Sequence, residues 1–203
     1  DTNNEVWFSH VDHKRAVDLT KDFIRGRKLI ALAIGGNEAG KRYPPELFVQ
    51  ALKLIATKGD FGFIYLGGKA DVEASEYLRR ELGDELLLNF AGQTALRETC
   101  AVMDLTSMFI GTDTGPMHIA SALRKPVITI NREARDISMG AMSCAMRFSP
   151  WQTKSIMLRP EHALEPCKSH PSAAGCIITN QPHCIAQIKP DEIVAAFDQI
   201  LSL

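Results

Sequence analysis

Two glycine-containing segments of this 203-residue chain combine residue types that could bind a phosphorylated ligand. The first follows a run of apolar residues and reads GGNEAGKRYP over 35–44. Its glycines can bring backbone amides close to an anion, and Lys41 adds a point charge. Arg42 stands where a P-loop has serine or threonine, and the G-x-G-x-x-G spacing of a dinucleotide site is missing. The residues alone leave two interpretations, an anion-binding loop with one cation or an ordinary solvated loop.

The second segment reads GTDTGPMH over 111–118 and joins another apolar run to a helix. A purely structural interpretation makes Asp113 or Thr114 the N-cap and puts Pro116 at the first helical position. A helix N-terminus also presents free amides and the positive end of its dipole, so it can bind an anion. Gly115 would let a diphosphate approach the backbone, and Asp113 could accept hydrogen bonds from sugar hydroxyls. Both interpretations stay open.

The elements that must position these segments alternate between short apolar runs and helical patterns, which is typical of a parallel α/β sheet. The pattern predicts strands over 29–34, 63–66, 86–88, 107–110, 126–130 and 156–158. It predicts helices over 13–24, 94–103, 116–123 and 191–201, and two more that begin near residues 44 and 71. Ligands of such sheets bind outside the carboxyl ends of the strands. We therefore expect the loops after Ile34, Leu66 and Ile110 to face one crevice.

The composition predicts one α/β domain over residues 1–203, in which 1–27 could form an interdomain connection. Apolar residues make up 45% of the chain, which is enough for a core, and the formal net charge is -1. Because nucleic-acid binders usually carry a basic surplus, we expect no nucleic-acid partner. No run approaches the roughly 18 apolar residues of a membrane-spanning helix.

The five cysteines favour a reducing, cytoplasmic compartment, because an odd number cannot form a complete set of internal disulfides. We predict that Cys100 lies in a helix and Cys144 in a loop, both reduced. The last quarter of the chain groups three cysteines with two histidines: Cys167, His170, Cys176, His183 and Cys184. A zinc site with three thiolates and one imidazole is chemically possible. The spacings are irregular and contain no C-x-x-C knuckle, so we expect no metal and favour free or locally paired thiols.

Together, the elements G-G-x(4)-K-R-Y-P and G-x-D-T-G-P-x-H resemble the donor-site motifs of glycosyltransferase family nine, the ADP-heptose:lipopolysaccharide heptosyltransferases. The resemblance extends over residues 29–201. It implies a GT-B architecture, in which two Rossmann-like domains face each other across a cleft and the C-terminal one holds the nucleotide-sugar. The chain would then be the C-terminal, Rossmann-like half of an inverting glycosyltransferase. The N-terminal domain, which binds the acceptor and supplies the catalytic base, would lie outside it.

The resemblance also implies roles for individual residues of the first segment and for the acidic residue of the second. It makes Lys41 the cationic partner of the diphosphate, flanked by Gly36 and Asn37. It assigns the sugar hydroxyls to Asp113. Lys41 and Asp113 are therefore the catalytic residues that the resemblance implies.

The remaining implied contacts involve the backbone of the second segment and two further loops. Thr114 and Gly115 would present amides to the phosphates, and His118 falls on the family's histidine in the same helix turn. A looser match lets Asp71 reach the ribose. The residues that would border the adenine are Gly92, Gln93 and Thr94.

The implied substrates are an ADP-sugar donor, ADP-heptose, and a lipid-linked saccharide acceptor of the lipopolysaccharide core, with no cofactor and no metal. The full-length protein would touch the inner face of the inner membrane through its acceptor, whereas this chain alone would bind donor and catalyse little. One departure concerns residues 131–135, which read NREAR where the family has a G-P-T-x-P type loop, and it bears on the donor sugar or base. A non-catalytic nucleotide-sugar sensor and a nucleotide-sugar epimerase domain remain as alternatives.

Overall fold

The computed structural model describes residues 4–137, 143–165 and 181–202, and these form a three-layer α/β fold. Its centre is a six-stranded parallel sheet with the strand order β3-β2-β1-β4-β5-β6. The strands are β1 (Lys28–Ala33), β2 (Phe61–Tyr65), β3 (Leu87–Asn89), β4 (Met108–Thr112), β5 (Val127–Ile130) and β6 (Ser155–Leu158). This is the doubly wound Rossmann-like order, so the predicted fold class is confirmed.

The helices flank this sheet on both faces. They are α1 (His10–Ile24), α2 (Pro45–Ala56), α3 (Val72–Leu82), α4 (Leu96–Asp104), α5 (Gly115–Ala122), α6 (Cys144–Arg147) and α7 (Pro190–Ser202). The predicted helices are all present with slightly different ends. The start of α1 precedes the predicted one because Ser9 and Asp12 form a reciprocal capping box around its first turn. The prediction that Cys144 lies in a loop is wrong, since it opens the short helix α6.

The strands are buried on both faces because helices cover the sheet from each side, and alternate side chains therefore enter separate cores. Ile30 and Leu32 point into a core formed with α2, α3 and α7. Leu29 and Ala31 point into a second core formed with α1, α4 and α5. The near-continuous apolar runs in the sequence result from this double coverage.

Helix α1 packs against α4 on the second face. Its Ala16 and Thr20 are fully buried, and Arg15 forms an ion pair with Glu98 at the start of α4. That residues 1–27 connect two domains stays a prediction. Among the described residues, no helix combines the length and the apolar character needed to cross a bilayer.

The cysteines divide between the described and the undescribed parts of the chain. Cys100 lies in the helix α4 as predicted, and burial raises the pKa of its thiol. Cys184 lies 3.2 Å from His183, measured from Sγ to Nδ1. Cys167 and Cys176 lie outside the described residues. The absence of a metal in the last quarter therefore stays a prediction.

Candidate functional site

A crevice of about 520 Å³ opens at the carboxyl edge of the sheet, where the chain order reverses between β1 and β4. It lies between the loops after β1, β2 and β4 and the start of α4, as expected from the strand-end rule. The predicted site residues that line it are Gly36, Asn37, Lys41, Asp71, Thr94, Asp113, Thr114 and Gly115. Gln93 and His118 are not among the described residues that line it.

The loop after β1 is held by hydrogen bonds that fix the position of Lys41. The Tyr43 amide donates to the Ile34 carbonyl over 3.1 Å, and the buried Tyr43 hydroxyl donates to the Ile188 carbonyl over 2.7 Å. The Arg42 side chain reaches back to the Gly36 carbonyl over 3.0 Å. Lys41 therefore ends a pinned 3₁₀ turn over Ala39–Lys41 rather than a free loop.

Three charged side chains meet at one side of this loop. The Lys41 ammonium lies 3.5 Å from one oxygen of Glu38, and Arg132 Nη1 lies 2.8 Å from the other. Partial burial opposes ionisation of Glu38, but the hydrogen bond and charge of Arg132, together with Lys41, outweigh it. They hold the pKa of the Glu38 carboxyl below its usual value. Glu38 and Arg132 are not among the site residues that the sequence motifs predict.

The loop after β4 carries the start of α5 into the crevice. The buried Thr112 hydroxyl donates to the Gly35 carbonyl over 2.7 Å, so this loop is tied to the one after β1. Of the two predicted N-cap residues, Thr114 occupies the N-cap position and makes no side-chain capping bond, and Asp113 does not occupy it. Thr114, Gly115 and Pro116, at the start of α5, line the crevice, so the anion-binding end of this helix is open to a ligand there.

Asp113 faces the crevice with its side chain only 12% exposed. One carboxylate oxygen lies 3.5 Å from His118 Nε2, one turn along α5. His118 itself is exposed and reaches the site through Asp113. The open space around Gly115, where an added Cβ would meet no atom within 4 Å, leaves room for a ligand against the backbone.

The third loop places Asp71 against glycine backbones. One carboxylate oxygen accepts a hydrogen bond of 2.7 Å from the Gly68 amide. A Cβ on Gly35 would come within 1.7 Å of the other, so the carboxylate is seated on that glycine. Asp71 also lines a second cavity of about 240 Å³. Contact with a ribose stays a prediction, and part of this carboxylate is already used by its own turn.

The residues predicted to border the adenine separate into two groups. The Gln93 side chain donates to the Asn89 carbonyl over 3.1 Å, and the Gly92 amide donates to the Gly67 carbonyl over 2.9 Å. The Gln93 bond holds the local turn after β3, whereas the Gly92 bond joins the loop after β3 to the loop after β2. Thr94 lines the crevice, with its hydroxyl 2.8 Å from that of Thr99.

The crevice contains further residues that the motifs did not indicate, notably Lys69 and Leu96. Arg132 could have been found by the strand-end rule, because it is the second residue after β5 and the loop after β5 lies at the same edge as the other loops. Arg132 lines a small cavity together with Lys41, Asp113 and Asn131. Lys41 and Asp113 also line the crevice.

Comparison with known proteins gives consistent sequence matches. A model of glycosyltransferase family 9 (heptosyltransferase) matches residues 3–178. Lipooligosaccharide heptosyltransferase 2 of Campylobacter jejuni is 21% identical over 180 residues, which cover 87% of this chain and 52% of that protein. Its counterpart in Haemophilus influenzae is 29% identical over 93 residues, which cover 44% of this chain and 27% of that protein. The chain thus spans about half the length of its relatives or less.

The solved structures agree in fold. A family 9 glycosyltransferase from Veillonella parvula has a TM-score of 0.78 at 18% identity, over all of this chain and 54% of its own. The ADP-heptose lipopolysaccharide heptosyltransferase II of E. coli has a TM-score of 0.71 at 18% identity, covering 98% of this chain and 53% of its own. An E. coli heptosyltransferase determined with ADP has a TM-score of 0.63 at 14% identity, with coverages of 91% and 48%. From the family match over most of its length, we conclude that this chain belongs to glycosyltransferase family 9, the heptosyltransferases.

Proposed function

We propose that the crevice binds an ADP-sugar donor, and that the chain is the donor-binding half of an inverting transferase that adds heptose to the lipopolysaccharide core. The observation that carries this proposal is the convergence of Lys41 and the uncapped start of α5 on one crevice. A positive side chain and a helix N-terminus are the groups that bind a diphosphate. ADP in the E. coli structure at TM-score 0.63 supports adenine as the base.

The same groups can lower the barrier to transfer. Breaking the bond from sugar to diphosphate leaves negative charge on the departing nucleotide, and Lys41 with the α5 dipole would stabilise it. Pre-aimed charges and dipoles of this kind commonly supply several kcal/mol. Since protein groups can supply this charge, we propose that the site needs no metal, and that ADP affinity is the same in excess EDTA as in Mg²⁺.

Asp113 has a different role in the same proposal. A carboxylate repels phosphate oxygens, so a side chain at this position is better matched to a ligand's hydroxyl donors. We assign it the hydroxyls of the donor sugar, next to the diphosphate. His118, 3.5 Å away, would orient the carboxylate.

The remaining parts of the proposal concern the whole enzyme. The acceptor would be a lipid-linked saccharide bound by an N-terminal domain that also supplies the catalytic base. The enzyme would act in the cytoplasm at the inner face of the inner membrane. The present chain alone would bind donor weakly and transfer little.

Titration calorimetry of the chain with ADP tests the donor site. We expect Lys41→Ala to weaken ADP binding about tenfold, or about 1.4 kcal/mol. Lys53→Ala is the matched control, because Lys53 is an exposed lysine on α2 that pairs with Glu81 and does not line the crevice. Equal affinities of wild type and Lys41→Ala would remove Lys41 from the site, and absence of ADP binding to the folded chain would contradict the proposal.

A further inference from the structure

The contacts of Glu38 link two loops that approach the crevice from different strands. Glu38 and Lys41 follow β1, whereas Arg132 follows β5, and β4 lies between these strands in the sheet. The Arg132 contact of 2.8 Å is the shorter of the two that Glu38 makes with these cations. Arg132 is also the less exposed cation, at 16% against 28% for Lys41.

We propose that Arg132 is a positioning residue that keeps Lys41 available to the donor diphosphate by engaging the carboxylate of Glu38. This inference rests on the proposed function and adds a residue to it. One carboxylate shared between two cations leaves a net positive charge beside the crevice. Without Arg132, Glu38 could turn both oxygens to Lys41 and neutralise it.

The other charged groups of this corner do not remove the effect. Asp113 faces the same small cavity as Lys41 and Arg132, and it lies 3.5 Å from His118. The Arg42 side chain is directed to the Gly36 carbonyl. Among the described residues, Glu38 is therefore the carboxylate that forms an ion pair with Lys41, and Arg132 competes for it.

A purely structural link between the loops and control of the Lys41 charge predict different effects of removing the Glu38 charge on ADP affinity. If the Arg132–Glu38 contact only held the two loops together, removing either partner would weaken ADP binding. If Arg132 controls the charge of Lys41, removing Arg132 weakens binding, whereas removing the charge of Glu38 does not. Removal of Glu38 should also rescue the loss of Arg132.

A double-mutant cycle on the 203-residue chain, with ADP titrated into each variant, measures that sign. We expect Arg132→Ala to weaken ADP binding about fivefold, as expected for one partly exposed ion pair. Glu38→Gln should bind ADP at least as tightly as wild type, and Arg132→Ala/Glu38→Gln should match Glu38→Gln within about twofold. Arg132→Lys should retain wild-type affinity, which separates loss of charge from loss of folding. A double variant as weak as Arg132→Ala, or a Glu38→Gln variant as weak, would overturn the proposal.

A second measurement needs no ligand, so it separates this inference from the proposed function. The rate at which an acylating reagent modifies the Lys41 amine, followed by mass spectrometry, should fall in Arg132→Ala and recover in the double variant. If the labelling rate shows this pattern but wild type does not bind ADP, the proposed donor site is rejected and the coupling between Arg132 and the charge of Lys41 is retained. ADP binding that depends on Lys41, with affinity and labelling unchanged in Arg132→Ala, would retain the donor site and reject the coupling.

Discussion

At the scale of single residues, a substitution at Asp113 distinguishes a crevice that binds a nucleotide-sugar from one that binds only a nucleotide. Its carboxylate does not cap α5, so its place in the crevice is not explained by the helix start. Asp113→Asn keeps the size of the side chain and replaces a charged hydrogen-bond acceptor with a weaker neutral one. We expect ADP to bind this variant as it binds wild type and an ADP-sugar to bind about tenfold more weakly.

Calorimetry with both ligands checks this expectation, and the ADP titration serves as the internal control. An equal loss for both would indicate damage to the loop after β4. No loss for either would leave Asp113 without a role in sugar binding.

A local rule explains why Lys41 and Asp113 both line the crevice, whereas their roles there stay predictions. Lys41 and Asp113 lie in glycine-containing loops directly after apolar strands, and parallel strands bring such loops to one edge. The contact between Glu38 and Arg132 spans 94 positions and depends on the order of the strands, which no local pattern reveals. Gln93 does not line the crevice, because its side chain donates to the carbonyl of Asn89, four residues back, and its contact with adenine stays a prediction.

At the scale of elements, Gly111 in β4 and Gly115 at the start of α5 lack a side chain for different reasons. Gly111 pairs with Ala33 where β4 lies beside β1, and a Cβ there would stand 1.9 Å from the Ala33 carbonyl oxygen. A Cβ on Gly115 would meet nothing within 4 Å. One glycine therefore serves the packing of the strands, and the other leaves space for a ligand.

Alanine substitution should separate these two functions. We expect Gly111→Ala to destabilise the chain by about 3 kcal/mol, because backbone atoms must move to admit the methyl group. Gly115→Ala should unfold at the wild-type temperature yet bind ADP about tenfold more weakly. Thermal melts and titrations of both variants provide the comparison, and full ADP affinity in Gly115→Ala would place the diphosphate elsewhere.

Most strands and helices followed from apolar periodicity, but the segment between β5 and β6 did not. In its described parts, 131–137 and 143–154, the buried Glu133 makes tertiary contacts: its carboxylate accepts hydrogen bonds from the Ser143 hydroxyl over 2.6 Å and from Arg159 over 3.0 Å. It also accepts a bond of 3.1 Å from the Ala145 amide at α6. Such a network has no periodic pattern, so the sequence could not predict the helix α6.

At the scale of the whole molecule, carboxylates in distant regions link stability to pH with the same sign. Hydrogen bonding from Arg79 is the main cause that lowers the pKa of Glu76, and the contacts with Arg132 and Lys41 lower that of Glu38 against partial burial. A carboxyl whose pKa is lower in the folded state stabilises the fold above its unfolded pKa. That contribution disappears as the pH falls through the folded pKa.

We therefore expect the unfolding temperature to fall once the pH drops below about 4, the usual range for such groups. Melts from pH 7 to pH 3 should show a smaller fall in high salt, because these side chains are partly exposed and screened. The unfolding temperature of the variant Glu38→Gln should fall less between pH 7 and pH 3 than that of wild type. An unfolding temperature that rises between pH 4 and pH 3 would contradict the assigned sign.

A crystal structure of this chain soaked with ADP-heptose would show directly where a nucleotide-sugar lies in the molecule. We expect the diphosphate at the start of α5, with the Lys41 ammonium and the Gly115 amide about 3 Å from its oxygens. The sugar hydroxyls should face Asp113. A diphosphate bound in the second cavity that Asp71 lines, or one out of reach of both Lys41 and α5, would contradict the account.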